Sequence, residues 1–539
     1  MKALLFLPLT VALLAAGASA AAGHSTNAMR RIKLEPVQGT MSFAARAPAF
    51  PGDVFALTVP ETIGDVEEVL LNFPGHEPRW TGPDAAGAIG YTLANDKVRF
   101  EARVVPFCDH LDVWQTITNL TDRTWRHAFS FSCCNPRPVL DKTFQRTYLA
   151  TAEGPTRIAD IPLTASTRPL QLYHLQGKQY PSHTFIDAFQ ATCATPAADS
   201  WIATVAADGR SVLGVAAQEA AFLFSNSEFG CIHSAPDFGD VPPGETRTRL
   251  MRVYAMPGDL QTFIRRQARG REALVPSLRA VQRDPAEIGM QAAEIWLPWR
   301  DAGHVTLRLP ETLSSDLGLL FIDHSRPDMP PVTRADALPD WHCDAPTGAL
   351  WYSLPLPNGV TFGGQLTPVA NGADLLFWVT NHTDAPLTRL SPQFCLIENG
   401  APPFSAGDLS RTYLRTGGRW LPLAATSHQV MAPDHEPWII AGVADRGPRS
   451  GASMPGGWSV CRERADVPLI AAADADGHRV VGLTWRGGLS LMSNGRIPCL
   501  HTDPAIADCA PGQTVHAQGR LFILSGGLDR LWQAYSGAP

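Results

Sequence analysis

"CIHSAPDFGDVPPG", residues 231–244, and "CLHTDPAIADCAPG", residues 499–512, share Cys, His, both Pro positions and the final Gly at a constant shift of 268. A fixed offset carried by several identities signals internal repetition, which composition cannot produce. The same shift links Cys193 with Cys461, "ADG" at 207–209 with 475–477, Gly214 with Gly482, and Ser225-Asn226 with Ser493-Asn494. Upstream the shift shortens in steps, as small insertions would make it. "RTYL" at 146–149 returns at 411–414, shifted by 265. "TNLTD" at 118–122 and "TNHTD" at 380–384 are 262 apart, as are Val98, Phe100, Pro106, Asp112 and Cys133 from Val360, Phe362, Pro368, Asp374 and Cys395. "LTVPETI" at 57–63 and "LRLPETL" at 307–313 differ by 250. The chain is a tandem duplication.

Local pattern inside each copy reads as β-structure. "VRFEARVVP" and "LDVWQTITN" are apolar or alternating runs rich in β-branched and aromatic residues, separated by turn-forming clusters. "AADGRSVLGVA" and "DADGHRVVGLT" each set Asp-Gly between two apolar runs, a hairpin signal because the turn needs positive φ, which Gly supplies cheaply. The 46 Pro and 45 Gly punctuate the chain and disfavour long helices. One helix is expected within Pro257–Gln282 and its counterpart at "GGLDRLWQAY". The fold class expected is all-β: two tandem homologous antiparallel β-sandwich domains. The divisions are a signal peptide at 1–20, an N-terminal extension at 21–40, copy one at 41–283, a linker at 284–290 and copy two at 291–539.

The N-terminus carries Lys2, an apolar run from Ala3 to Ala16 and small residues ending Ala18-Ser19-Ala20, the pattern of a secretory signal. Export to the periplasm or medium is therefore expected, without membrane insertion. Ten cysteines in an exported chain permit disulfides, though spacing does not fix their pairing. The net charge of −7 and the lack of a basic stripe argue against a nucleic-acid partner.

The Thr-Asn-x-Thr-Asp turns at 118–122 and 380–384, each following an apolar strand, are similar to the strand-turn-strand unit of galactose-mutarotase-like supersandwich proteins. That resemblance implies a carbohydrate-active β-sandwich and a carbohydrate ligand or substrate.

Several catalytic signatures are missing, among them G-x-S-x-G, H-E-x-x-H, a Walker loop and a dinucleotide fingerprint. What remains is a set of candidates. "QLYHLQGKQYPSHTFID" concentrates Tyr173, His174, Lys178 and His183, which offer phenol, imidazole and ammonium to a polyhydroxylated ligand. Arg146 and Tyr148 of "RTYL" would set a cation beside a phenol, as β-elimination from a uronic acid requires, because the α-proton becomes acidic once its carboxylate is neutralised. His233 titrates near neutrality and suits acid-base work. No cofactor is required. Cys133, Cys193, Cys231 and His233, echoed by Cys395, Cys461, Cys499 and His501, have ligand types that suit tetrahedral zinc, but thiols of an exported chain more often pack or pair, which is the expectation here. A calcium loop at "AADADG", 472–477, lacks one of its three acidic ligands before the Gly and its closing Glu. Residues that differ between the copies are the expected place for a single site. Two functions stay open: a lyase or glycoside hydrolase, and a non-catalytic pair of sandwiches binding glycan or protein.

Overall fold

The computed structural model describes residues 31–72, 75–162, 170–178, 191–192, 195–272, 274–281, 292–322, 340–427, 438–449 and 459–537. Their strands form four sheets of nine, eight, nine and nine strands. The all-β, two-sandwich expectation is met.

The first sheet runs Lys33–Pro36, Ser42–Arg46, Phe55–Gly64, Trp125–Asn135, Cys231–Val241, Ala220–Asn226 and Leu170–His174. The third repeats that order with Ser277–Ala280, Ala292–Trp296, His304–Ser315, Ser391–Ile397, Cys499–Pro504, Gly488–Asn494 and Trp438–Gly442. The second and fourth sheets likewise share one order, at whose centre Val98–Pro106, His110–Asn119, Thr246–Pro257 and Ser211–Ala217 correspond to Val360–Val369, Gly372–Asn381, Thr514–Ser525 and Arg479–Trp485. Each copy encloses its own core, because alternation sends every second side chain of both its sheets inward. Phe43, Phe55, Phe100 and Ile117 belong to the first core, and Leu307, Phe362, Phe377 and Phe394 to the second.

The repeated motifs have local physical causes. Asn119 and Asn381 close the Thr-Asn-x-Thr-Asp turns identically. The Asn119 amide donates to Arg123 O and Val241 O at 2.8 Å, and its Oδ1 accepts from Thr121 N at 2.8 Å. Asn381 does the same with Ala385 O at 2.8 Å, Cys509 O at 2.9 Å and Thr383 N at 2.9 Å. Both Asp-Gly hairpins form, with Gly209 at φ 73° and Gly477 at φ 69°.

Helix α1 (Leu260–Gly270) and helix α2 (Gly527–Ser536) lie on the outer faces of the second and fourth sheets. Gly214 and Gly482 are repeated because they seat these helices. A Cβ at Gly214 would meet Phe263 at 2.5 Å, and one at Gly482 would meet Leu531 at 2.9 Å. The α1 segment is shorter than the sequence suggests. It stops at Gly270, and Ser277–Ala280 is instead a strand paired with Ala292–Trp296 in the third sheet. That strand holds the place in copy two that Lys33–Pro36 holds in copy one, so both pieces belong to sandwiches rather than to connecting segments.

Residues 1–30 and 282–291, which carry the expected signal and linker, lie outside the described residues. No helix among the described residues is long and apolar enough to cross a membrane. The nine described cysteines are all free thiols, so the expected disulfides are absent among them. Three pairs of thiols are nonetheless adjacent, Cys108 with Cys343 at 2.6 Å, Cys133 with Cys231 and Cys395 with Cys499.

Candidate functional site

On the fourth sheet, four strands bring Thr367, Asp374, Arg520 and Thr484 directly opposite one another in a single row. The next row holds Gln365, Leu376 and Gln518. All point away from the core, because their neighbours Leu366, Leu375, Leu521 and Leu483 point into it. Arg446 and Arg486 stand at one rim and Tyr535 of α2 at the other, enclosing a cleft of about 1110 Å³. The Asp374–Arg520 ion pair is accessible, with side chains 61% and 26% exposed. Arg486 has no side-chain hydrogen bond or ion pair among the described residues and is exposed. Burial pushes the Tyr535 phenol up, so it stays protonated as a donor, and its bond with Thr484 offsets part of that rise.

The corresponding row of copy one is Val105, Asp112, Arg252 and Ala216. The ion pair is kept and its threonine flanks are replaced by apolar residues. Here the face is covered. Arg252 Nε lies 2.7 Å from Asp112 Oδ1 with both side chains 7% exposed, and Ser277 from copy two's sheet donates to Asp112 Oδ2 at 3.0 Å. Beside them His110 sits 2.6 Å from Asp109, which takes Arg266 Nε at 2.8 Å. Burial works to raise the Asp112 carboxyl, but Arg252 and His110 outweigh it and hold it well below the usual carboxylate range. Chemistry that is sealed into the junction in copy one is therefore open to ligand in copy two.

A second constellation occurs twice, on the outer faces of the first and third sheets. Cys133, Cys231 and His233 lie together, as do Cys395, Cys499 and His501. His233 Nε2 is 3.3 Å from Cys231 Sγ, and Nδ1 is 3.9 Å from Glu61. In copy two the same distances recur, 3.3 Å from His501 to Cys499 and 3.9 Å to Glu311. Cys-x-His puts both side chains on one face of a strand. Cys133 comes from the neighbouring strand, and Glu61 from the next one, at a ladder irregularity between Thr58 and Thr62 where Pro60 has no N–H to give. The hydrogen bond from the Cys133 thiol, with His233 beside it, holds Cys231 down at about 5 against burial. Burial opposes protonation of His501, yet the Cys395 sulfur beside it lifts it to about 9.

The two copies differ in access. In copy one the cluster opens on a cavity of about 350 Å³ lined also by Phe131, Phe224, Asn135 and Asn226, and the His233 ring stacks on Phe131 at 4.4 Å. In copy two Gln393 and Met492 stand where Phe131 and Phe224 stand in copy one, Arg308 binds Glu311 at 2.8 Å, and every member is buried.

Of the residues nominated for catalysis from sequence, His233 is the one placed in either constellation, where Cys133, Cys231, Cys395, Cys499 and His501 of the zinc-ligand set also gather. Tyr173 is fully buried in the first core, its hydroxyl 3.2 Å from Ser225. His174, on the same strand, is half-buried. Lys178 binds Asp237 at 2.6 Å and Ala220 O at 3.1 Å. Arg146 ties down a loop through Leu140 O at 2.8 Å, as Arg411 does through Ser405 O at 2.9 Å, while Tyr148 packs with the α1 cluster. His183 and Cys193 lie outside the described residues. Cys461 is not with its supposed partners: it sits in the second core, 3.4 Å from Thr426. Glu61, Glu311, Asp374, Arg486, Arg520 and Tyr535 escaped selection. Glu61 and Asp374 were visible as members of the repeat, but nothing local marks them as site residues.

No family model matches the chain, and no curated protein does. Solved structures similar to it include a galactose mutarotase related enzyme from Lactobacillus acidophilus (9% identity, 42% of this chain and 98% of that one, TM-score 0.26). A putative aldose 1-epimerase from Escherichia coli K12 matches at 9% identity over 44% of this chain and 96% of that one, TM-score 0.26. A Paenibacillus xanthan lyase matches at 8% identity over 92% of this chain and 50% of that one, TM-score 0.27. The likeness is weak and is one of fold.

Proposed function

We propose that the cleft on the fourth sheet binds a carboxylate-bearing glycan, and that the protein is an exported carbohydrate-active protein of lyase or hydrolase type. The observation that carries the reading is the open Thr367–Asp374–Arg520–Thr484 row with the free Arg486 at its rim. A sugar hydroxyl pair is matched by Asp374, Gln365 and Gln518, which together offer acceptors and donors at sheet spacing. A uronate carboxylate is matched by guanidinium groups, which present paired N–H donors in a plane. Neutralising that carboxylate is also the first requirement of β-elimination, with the Tyr535 phenol available as a proton donor.

The test is calorimetric titration with uronate oligosaccharides and neutral oligosaccharides of equal length, beside an ultraviolet assay for unsaturated product and a reducing-end assay. Preferential binding of uronates, weakened at least tenfold in an Arg486→Ala, Arg520→Ala double variant, is expected. Equal affinity for both sugar classes, or none, overturns the reading. Uronate binding without either product marks a glycan-binding protein instead of an enzyme.

A further inference from the structure

We propose that the two Cys-Cys-His clusters are zinc sites, one per copy, with the copy-one ion keeping a coordination position open to its cavity. This goes beyond the glycan reading and stands on different residues.

Three observations carry it. Ligand atoms from Cys133, Cys231 and His233 lie within 4.8 Å of one another, and so do those from Cys395, Cys499 and His501. A tetrahedral ion with zinc–sulfur and zinc–nitrogen bonds of about 2.3 and 2.0 Å sets its ligand atoms about 3.5–3.8 Å apart, and the His233–Cys231 and His501–Cys499 pairs stand at 3.3 Å. Secondly, the residues come from separate parts of the chain. The sequence offset between copies is 262 for Cys133 and Cys395, 268 for the Cys-x-His pairs and 250 for Glu61 and Glu311. Insertions have moved these segments along the chain independently, yet both copies reassemble the same four groups in space. Thirdly, a carboxylate stands 3.9 Å from the far ring nitrogen of each histidine, while the near nitrogen faces the sulfur. That is the side on which an outer carboxylate orients a metal-bound imidazole, here at ion-pair and not hydrogen-bond distance.

Charge balance favours a cation. Two thiolates and a neutral imidazole around a divalent ion are neutral overall, so the ion offsets both ligand charges. Soft sulfur with imidazole selects zinc over magnesium or calcium. A thiolate nucleophile would explain copy one, where Cys231 faces a cavity of about 350 Å³. It would not explain why copy two keeps the same three groups with Cys395 buried as well, where Cys133 is half-buried in copy one. A metal explains both.

Copy two supplies three protein ligands in a closed pocket, with Glu311 held by Arg308 and Asp503 two residues beyond His501. Copy one has no arginine in that place, because Thr58 occupies the position equivalent to Arg308. Its fourth direction points into the cavity between Phe131 and Phe224. Each cluster supplies three protein ligands, and the copy-one ion, whose fourth position faces the cavity, is the exchangeable one.

The test uses the full-length chain, reduced with a phosphine, stripped with chelator and reloaded with zinc or cobalt. Two equivalents per chain are expected by elemental analysis, and the cobalt form is expected to show thiolate-to-cobalt charge-transfer absorption. Cys231→Ser and Cys499→Ser should each lower the stoichiometry from two to one. Imidazole should shift the cobalt spectrum of Cys499→Ser, which keeps the open site, and leave that of Cys231→Ser unchanged. Reduced wild-type protein that takes up neither metal overturns the proposal whatever the variants do. Uptake that neither substitution reduces overturns the assignment to these residues, and identical imidazole responses in the two variants overturn the open position in copy one. Three equivalents would place an ion at Cys108 and Cys343 as well, contrary to expectation, since Asp109 beside them is already committed to Arg266 and His110.

Discussion

Arg252 and Asp112 face each other across two strands at 2.7 Å, buried, and Arg520 and Asp374 repeat that pairing in the open. One inherited ion pair has acquired two environments. In copy one Ser277 and the α1 segment cover it, and Val105 and Ala216 flank it. In copy two Thr367 and Thr484 flank it and the cleft remains accessible. The contrast between the copies is a built-in control for experiment.

Arg252→Ala should destabilise copy one by about 3–5 kcal/mol, because it leaves Asp112 charged, buried and without its partner. Arg520→Ala should cost no more than about 1 kcal/mol, since its pair is solvated. Denaturant titrations of both variants check this, and equal losses would show that the two environments are not distinct.

Glycan binding in the cleft should weaken as salt rises, because the rim arginines are exposed and screened within about 10 Å at moderate ionic strength. Arg486→Ala should lower affinity for a uronate oligosaccharide about tenfold, about 1.4 kcal/mol, with an unchanged unfolding midpoint. Titrations at low and high salt read both effects.

Glu398 is fully buried, neither carboxylate oxygen has a hydrogen-bond partner among the described residues, and burial pushes it up to about 8 despite Arg411 nearby. The unfolded chain releases this proton near the ordinary value of 4.5 and the folded chain holds it to about 8. Between those values the native state binds more protons, so stability falls as pH rises, by at most about 1.4 kcal/mol per unit. Glu398→Gln should match the parent at pH 4 and exceed it increasingly up to about pH 8, then run parallel. Urea midpoints against pH decide it, and parallel curves throughout would refute the buried neutral acid.

Asn119→Ala and Asn381→Ala should each cost about 1–3 kcal/mol, since each removes a buried amide whose oxygen and nitrogen hydrogen-bond three backbone groups across the turn. Similar losses in both are expected from their matching bonds to Val241 O and Cys509 O. Thermal unfolding of the two variants measures them, and a loss in one copy only would contradict the shared turn.

Much of the architecture was readable from the chain. Repeat identities at Gly214 and Gly482, at Asn119 and Asn381, and at the Asp-Gly turns each have a local cause, and local causes leave local marks. The strand at Ser277–Ala280 was missed because a four-residue edge strand carries too few alternations to stand out from the end of a helix-like segment. The loop nominated for catalysis looked chemical because Tyr173, His174 and Lys178 are close in sequence. Alternation along the strand instead sends Tyr173 into the core, and Lys178 turns to Asp237.

The amino-acid sequence by itself determined that two homologous β-sandwiches follow one another, because periodicity and repeat offsets are one-dimensional properties. Tertiary structure decided what the repeated residues do. Glu61, Cys133 and the Cys231–His233 pair belong to three strands far apart in the chain, and only their order in the first sheet makes them neighbours. Burial of Asp112 and Arg252 depends likewise on copy two supplying Ser277 across the junction. Contacts between distant segments follow from sheet order and packing, which no local pattern encodes.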